Sequence, residues 1–187
     1  MYSAKNGKRA YKLAFENDSE HSPSTVPDSE SNEYTKKLDK MISGELYNGK
    51  YKKGVKYSGE YYTEQCKGFA KSVHKKLFGY VVSSTQPQPK NYLLYSNKNT
   101  TLVGTVTSMK AEKVKQLFVK SRPGDFIQIR RSHGGSHSAI VYSVNSKGIT
   151  FYEANLDGKN TISKKTYSWN KLCEDNAAMS LYTAKNY

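Results

Sequence analysis

Between residues 126 and 183 the chain breaks into short extended stretches parted by turn residues. This train restricts the fold more than any other feature. Residues 126–130 alternate, with Phe126, Gln128 and Arg130 on one side and Ile127 and Ile129 on the other, which is the two-residue period of a strand. Residues 137–144 are nearly all apolar after their start, and 149–153 follow the turn Asn145-Ser146-Lys147-Gly148. Residues 161–167 and 179–183 complete the set, with a short helical turn over 169–172 between them. Strands this close in sequence join as hairpins, so an antiparallel sheet is expected.

Upstream the period changes. Phe69, Ala70, Val73 and Leu77 recur at helical spacing, and Lys67, Lys71 and Lys75 take the opposite side. The spacing predicts a helix over 64–78, with Thr63 as N-cap and Gly79 as its end. A second amphipathic helix fits 108–120, with Val114, Leu117 and Phe118 inward, and Arg122-Pro123-Gly124-Asp125 reads as a turn. Short extended pieces at 80–82, 92–95 and 101–106 surround the breaker Pro87-Gln88-Pro89. Residues 45–62, rich in Tyr, Gly and Lys, read as irregular. Helices first and an antiparallel sheet after give an α+β fold with N-terminal helices packed on the sheet.

Residues 1–35 read as a poorly ordered tail or linker, because 16–33 are dominated by Ser, Asp, Glu and Pro and bury too little apolar surface to offset ordering. A helix over 32–43, ended by Gly44, leads into a single domain over 36–187. That length buries a core without a disulfide framework.

The net charge is +14, which favours an anionic partner: nucleic acid, anionic lipid or a phosphate-bearing wall. The alternative is a lysine-covered surface that only confers solubility. Of the 30 basic residues four are arginines, Arg9, Arg122, Arg130 and Arg131. Base-reading interfaces favour arginine, so specific nucleic-acid binding is not expected. No apolar run is long enough to span a bilayer, and the first thirty residues lack the apolar core of a signal peptide.

Cys66 falls in the first turn of the 64–78 helix. There its sulfur meets unpaired backbone N–H groups and the positive end of the helix dipole, which favour the thiolate. The apolar stripe lies within about 60° of it on the helical wheel, so the sulfur faces whatever the helix packs on. A buried inert cysteine, or a disulfide with Cys173, is the plainer alternative. Gly68 weighs against it. A glycine in the second turn costs about 1 kcal/mol relative to alanine, and close approach by a backbone or ligand is its usual compensation.

A base is then required. His74 is on the same helix, about 12 Å along its axis from Cys66, and His21 is in the tail. His133 and His137 bracket Gly134-Gly135, which delivers His137 to the start of an apolar strand. No third ligand accompanies that histidine pair, so neither metal nor cofactor is expected. If 146–148 form a three-residue loop with Gly148 left-handed, Val141 lies opposite Glu153 and Ala139 opposite Asn155. His137, Glu153 and Asn155 then share one face, with Asn155 nearer; a two-residue slip would bring Glu153 closer.

Four segments occur in order: Gln65-Cys66-Lys67-Gly68-Phe69-Ala70, Pro123-Gly124-Asp125-Phe126-Ile127, Ser136-His137-Ser138-Ala139-Ile140-Val141, and Phe151-Tyr152-Glu153-Ala154-Asn155. This set resembles the CHAP family, the cysteine- and histidine-dependent amidohydrolases/peptidases of the papain-like cell-wall hydrolases. The resemblance covers about residues 45–187. It implies a papain-like fold with Cys66 as nucleophile, His137 as base and then acid, Glu153 orienting the imidazole and Asn155 assisting. Gln65 would lie by the oxyanion site, beside the backbone N–H of Cys66. Ser136 stands where the family often has glycine. The implied substrate is peptidoglycan, an anionic cell-wall polymer, and the implied setting extracellular or wall-associated, the protein acting as a monomer whose leader is not in this chain. A protein-directed protease or effector on the same fold, or a non-catalytic wall-binding module, are the other readings. The orienting residue stays open between Glu153 and Asn155.

Overall fold

The computed structural model describes residues 28–59, 65–80, 82, 99–156 and 158–187. Four helices and six strands follow in the order α1 (Asp28–Ser43), α2 (Cys66–Phe78), β1 (Thr100–Val106), α3 (Ala111–Phe118), β2 (Phe126–Arg131), β3 (Ser136–Asn145), β4 (Gly148–Ala154), β5 (Ile162–Ser168), α4 (Trp169–Cys173) and β6 (Asn176–Ala184). The strands form one antiparallel sheet in the order β1-β6-β2-β3-β4-β5. The fold is α+β, as the strand train predicts.

Alternation along each strand gives the sheet two apolar faces. Phe126, Ile140, Tyr152 and Tyr182 point to one, where Leu38 and Met41 of α1 and Phe69, Ala70 and Val73 of α2 close the core. Ile127, Ile129, Val141, Phe151 and Leu181 point to the other, against Val114 and Phe118 of α3 and Trp169 and Leu172 of α4. Covering both faces explains why β3 and β4 read as near-continuous apolar runs.

Helix α1 begins at Asp28 rather than at residue 32, reaching into the stretch read as tail. Its start carries Asp28, Ser29 and Glu30, residues suited to a helix N-terminus. Leu38 and Met41, two turns on, supply the burial that composition alone does not register. The segment after α1 is irregular apart from a 3₁₀ turn at Tyr47–Gly49, yet it contributes to the core. Tyr51 and Tyr57 are buried against Phe69, and the Tyr152 hydroxyl donates to the carbonyl of Tyr51.

Two other expectations change. Helix α2 starts at Cys66, after Gln65 in extended conformation; Thr63 lies outside the described residues, as do 92–95 and Pro87-Gln88-Pro89. Tyr80 and Val82 form bends, not a strand. The lysine side of α2 is also less solvated than its charge suggests. Lys71 is buried, and burial pulls its amine below the usual lysine range.

Gly124 carries a turn with φ +95°, and a Cβ there would stand 3.0 Å from both Leu77 and Phe78. The turn therefore seats the C-terminal end of α2 on the start of β2, which helps aim the helix's other end at the strand ends beyond.

Candidate active site

Helix α2 packs across β2, β3 and β4. Strands β3 and β4 pair from Asn145↔Gly148 to Ile140↔Tyr152, while β4 stays paired with β5 as far as Ala154↔Ile162. Beyond Ile140 the β3–β4 ladder stops, and the N-terminal end of α2 meets this opening. There Cys66, partly buried, takes hydrogen bonds from the backbone N–H groups of Ser138 and Lys67 and bonds the ring of His137.

His137 Nε2 lies 2.7 Å from Glu153 Oε2, with His137 buried and Glu153 fully so. The ring of His137 thus engages Cys66 and Glu153 at once. Tyr167 donates its hydroxyl to the other carboxylate oxygen, Glu153 Oε1, at 2.7 Å. The chain of contacts is thus Cys66–His137–Glu153–Tyr167. Gln128 secures the strand start: its Nε2 donates to the His137 carbonyl at 3.3 Å, and its Oε1 accepts from the Ser138 hydroxyl at 2.9 Å.

The register decides which carboxyl or amide side chain reaches the imidazole. The Asn145 side chain accepts from the N–H groups of Lys147 at 2.9 Å and Gly148 at 3.1 Å, which closes a two-residue loop. Gly148 is not left-handed; it is glycine because a Cβ there would stand 2.0 Å from the carbonyl oxygen of Tyr167. The shorter loop shifts the ladder by one residue, and a bulge between Val141 and Ser143 shifts it by one more. Continued past Ile140↔Tyr152, the ladder sets Glu153 level with Ala139, two residues nearer His137 than a three-residue loop would place it.

Asn155 is not part of the cluster. It takes φ +60° at the end of β4, where its Oδ1 accepts the Asn160 N–H at 3.0 Å and closes the loop into β5. Left-handed backbone is where Asn is tolerated among non-glycine residues, so a turn role accounts for it. Gln65 precedes Cys66 and is exposed. Its side chain does not cap α2, and its carbonyl accepts the Phe69 N–H at 3.1 Å.

The charges follow from this geometry. Burial alone would raise the Cys66 thiol, but His137 and the two backbone N–H groups outweigh it and hold the thiol below its ordinary value of 9.0. Burial alone would lower His137; its bonds to Cys66 and Glu153, with their negative charges, push it up to about 9. Opposite shifts in one pair stabilise a thiolate beside an imidazolium. Burial, then the charge of Lys71, lowers neighbouring Lys67 to about 8.

Cys173 is half-buried at the end of α4, burial raises its thiol, and both cysteines are free. His74 is buried among Phe78, Tyr80 and Phe126, and burial lowers it to about 4, so it is a neutral core residue. His133 is exposed, 3.8 Å from Asp175. Among the described residues no group of three His, Cys, Asp or Glu could hold a metal ion, and no helix is long and apolar enough to cross a membrane.

Sequence reasoning missed Tyr167 and Gln128. Gln128 carried a signal, an uncharged polar side chain on the same side of a strand as Phe126. Tyr167 carried none, because its contact depends on the β4–β5 register, which sets it opposite Ile149 on the side of Glu153.

The solved structure described as "The crystal structure of Ly7917" superposes with a TM-score of 0.48 at 16% identity, covering 80% of this chain and 61% of that one. The chain therefore spans less than two thirds of the structure it matches. No protein-family model and no curated protein matches it.

Proposed function

We propose that the protein is a cysteine-dependent amide hydrolase of papain-like, CHAP type, acting on peptidoglycan. One observation carries the reading: a buried imidazole held between a thiol and a fully buried carboxylate, with His137 Nε2 2.7 Å from Glu153 Oε2. A structural cysteine needs no such partner, and an ion pair built only for stability rarely repays its desolvation.

In this reading the Cys66 thiolate attacks an amide carbonyl carbon. The C–S bond forms, and the imidazolium of His137 gives its proton to the nitrogen as the C–N bond breaks. Water then attacks the acyl-enzyme and passes a proton to His137, releasing the acid and restoring the thiol pair. Glu153 keeps the ring oriented and favours its charged form, while Tyr167 orients Glu153. The backbone N–H of Cys66 and the side chain of Gln65 are the donors assigned to the developing oxyanion.

Peptidoglycan is proposed from the family resemblance and from the charge of +14, which suits an anionic extracellular wall. The test is muropeptide release and turbidity loss from purified walls. Wild type is expected to release fragments and Cys66→Ala none; equal release by both would overturn the reading. Intact walls beside a cleaved protein substrate would point to the protein-directed enzyme.

A further inference from the structure

Gln128 is 1% exposed, on the side of β2 that faces α2. One step along the sheet on that side stand Phe126, Ile140 and Tyr182, all of them core residues. A methionine would fill nearly the same volume with no amide to satisfy, so packing does not account for a glutamine here.

The amide has one orientation open to it. Its Nε2 reaches two carbonyls, His137 at 3.3 Å and Ile129 at 3.5 Å, and its Oε1 accepts the Ser138 hydroxyl at 2.9 Å. Reversed, it would set an oxygen against both carbonyl oxygens. The hydroxyl opposite it on β6, that of Ser180, lies 2.7 Å from the Thr105 hydroxyl instead. The side chain is therefore tied to two consecutive residues of β3.

Those two residues are the ones that meet the thiol. The His137 carbonyl and the Ser138 N–H belong to a single peptide unit, and the described residues hold no cis peptide. In a trans unit the C=O and the N–H point in opposite directions. A donor seated on the carbonyl thus fixes the direction of the N–H, and that N–H donates to the Cys66 sulfur. The same bond polarises the unit and makes its N–H the stronger donor. The restraint matters because the β3–β4 ladder stops at Ile140↔Tyr152, which leaves residues 136–139 paired with β2 alone. We propose that Gln128 is a positioning residue of the site: it holds the His137–Ser138 peptide so that the Ser138 N–H stays on the Cys66 sulfur and the imidazole stays beside it. Gln128 acts through that peptide and not on the thiol itself.

The test is the pH profile of Cys66 alkylation by iodoacetamide in the full chain carrying Cys173→Ser. Gln128→Met is expected to raise the midpoint by about half a pH unit to one, because a hydrogen bond to a charged group is loosened rather than removed. Ser138→Ala frees only the Oε1 end and should raise the midpoint less. Leu172→Ala, at a position buried on the sheet's other face, should lower the melting temperature and leave the midpoint in place. In ¹H–¹⁵N spectra over the same pH range, the Ser138 amide should follow the Cys66 titration in the parent and follow it only weakly in Gln128→Met. A folded Gln128→Met with the parent's profile overturns the proposal, and so does an equal shift in Leu172→Ala. Should Gln128→Met fail to fold, Ser138→Ala decides, and an unmoved midpoint there overturns the proposal. The proposal rests on the Cys66–His137 pair of the hydrolase reading and not on its substrate. A shifted midpoint beside undigested walls keeps Gln128 in its role and removes the hydrolase; digestion with superposed profiles does the reverse.

Discussion

Replacing Glu153 with Gln changes one oxygen to an amide nitrogen and removes one charge at a fully buried position. His137 stands at about 9 against an ordinary 6.5, despite burial that works in the opposite direction. At about 1.4 kcal/mol per unit of pKa, the net preference for the imidazolium is about 3 kcal/mol, so the contacts with Cys66 and Glu153 contribute more than that. Without the carboxylate, burial is opposed by Cys66 alone, and a Gln amide offers Nε2 either a donor, which suits only the neutral ring, or an uncharged acceptor, which favours the imidazolium less than a carboxylate does. The imidazolium, and with it the thiolate, is expected to become about 10–100-fold scarcer at pH 7, from a loss of about 1.4–3 kcal/mol. The assay is the rate of Cys66 alkylation by iodoacetamide against pH, in a Cys173→Ser background so that one thiol reports. Glu153→Gln should slow alkylation at least about tenfold near neutrality and converge on the parent rate well above pH 9, where both thiols are ionised. Superposed profiles across the whole range would refute the argument that Glu153 holds the pair in its charged form.

Further outcomes follow from neighbouring contacts. Tyr167→Phe leaves Glu153 Oε1 buried without its donor; urea unfolding should show a loss of about 1–3 kcal/mol, with alkylation slowed less than in Glu153→Gln. Asn155→Gly keeps the left-handed turn and should leave the alkylation profile of Cys66 unchanged, whereas loss of reactivity would return Asn155 to the site. Gly148→Ala drives a Cβ into the Tyr167 carbonyl oxygen, 2.0 Å away, and should lower stability by on the order of 3 kcal/mol in a thermal melt. Burial raises the Asp125 carboxyl to about 7 against the partial offset of the Arg122 N–H and Thr183, while the unfolded value is 3.8. The folded state then binds more protons than the unfolded between those values, so this group's contribution is favourable below pH 4 and is lost as pH rises through 7. Asp125→Asn should lack that slope, and the wild-type minus variant difference in denaturant midpoint against pH measures it.

Much of this architecture was legible because local patterns and tertiary burial agree. The stripe Phe69, Ala70, Val73 and Leu77 is buried as its spacing requires, and the strands from 126 onward fall within a few residues of their expected bounds. Cys66 at a helix start and His137 at a strand start were both readable, since capping and strand-edge patterns are local. Composition misled where a few anchors outweigh many polar neighbours. Leu38 and Met41 hold a helix reaching back to Asp28, and Lys71 is buried on a side of α2 that its charge assigned to solvent.

The pairing inside the site was decided elsewhere. One side-chain oxygen on Asn145 shortens a hairpin loop, one bulge near Tyr142 adds a further step, and together they bring Glu153 rather than Asn155 to His137. Because strand pairing counts in single residues, a change too small to alter any periodicity exchanges the partner of the imidazole. The sequence by itself thus picked out the thiol, the imidazole and the elements that present them. Only the tertiary structure decided which carboxylate faces the ring and which tyrosine steadies it. Those contacts depend on register and twist between segments far apart in the chain, and no local pattern records them.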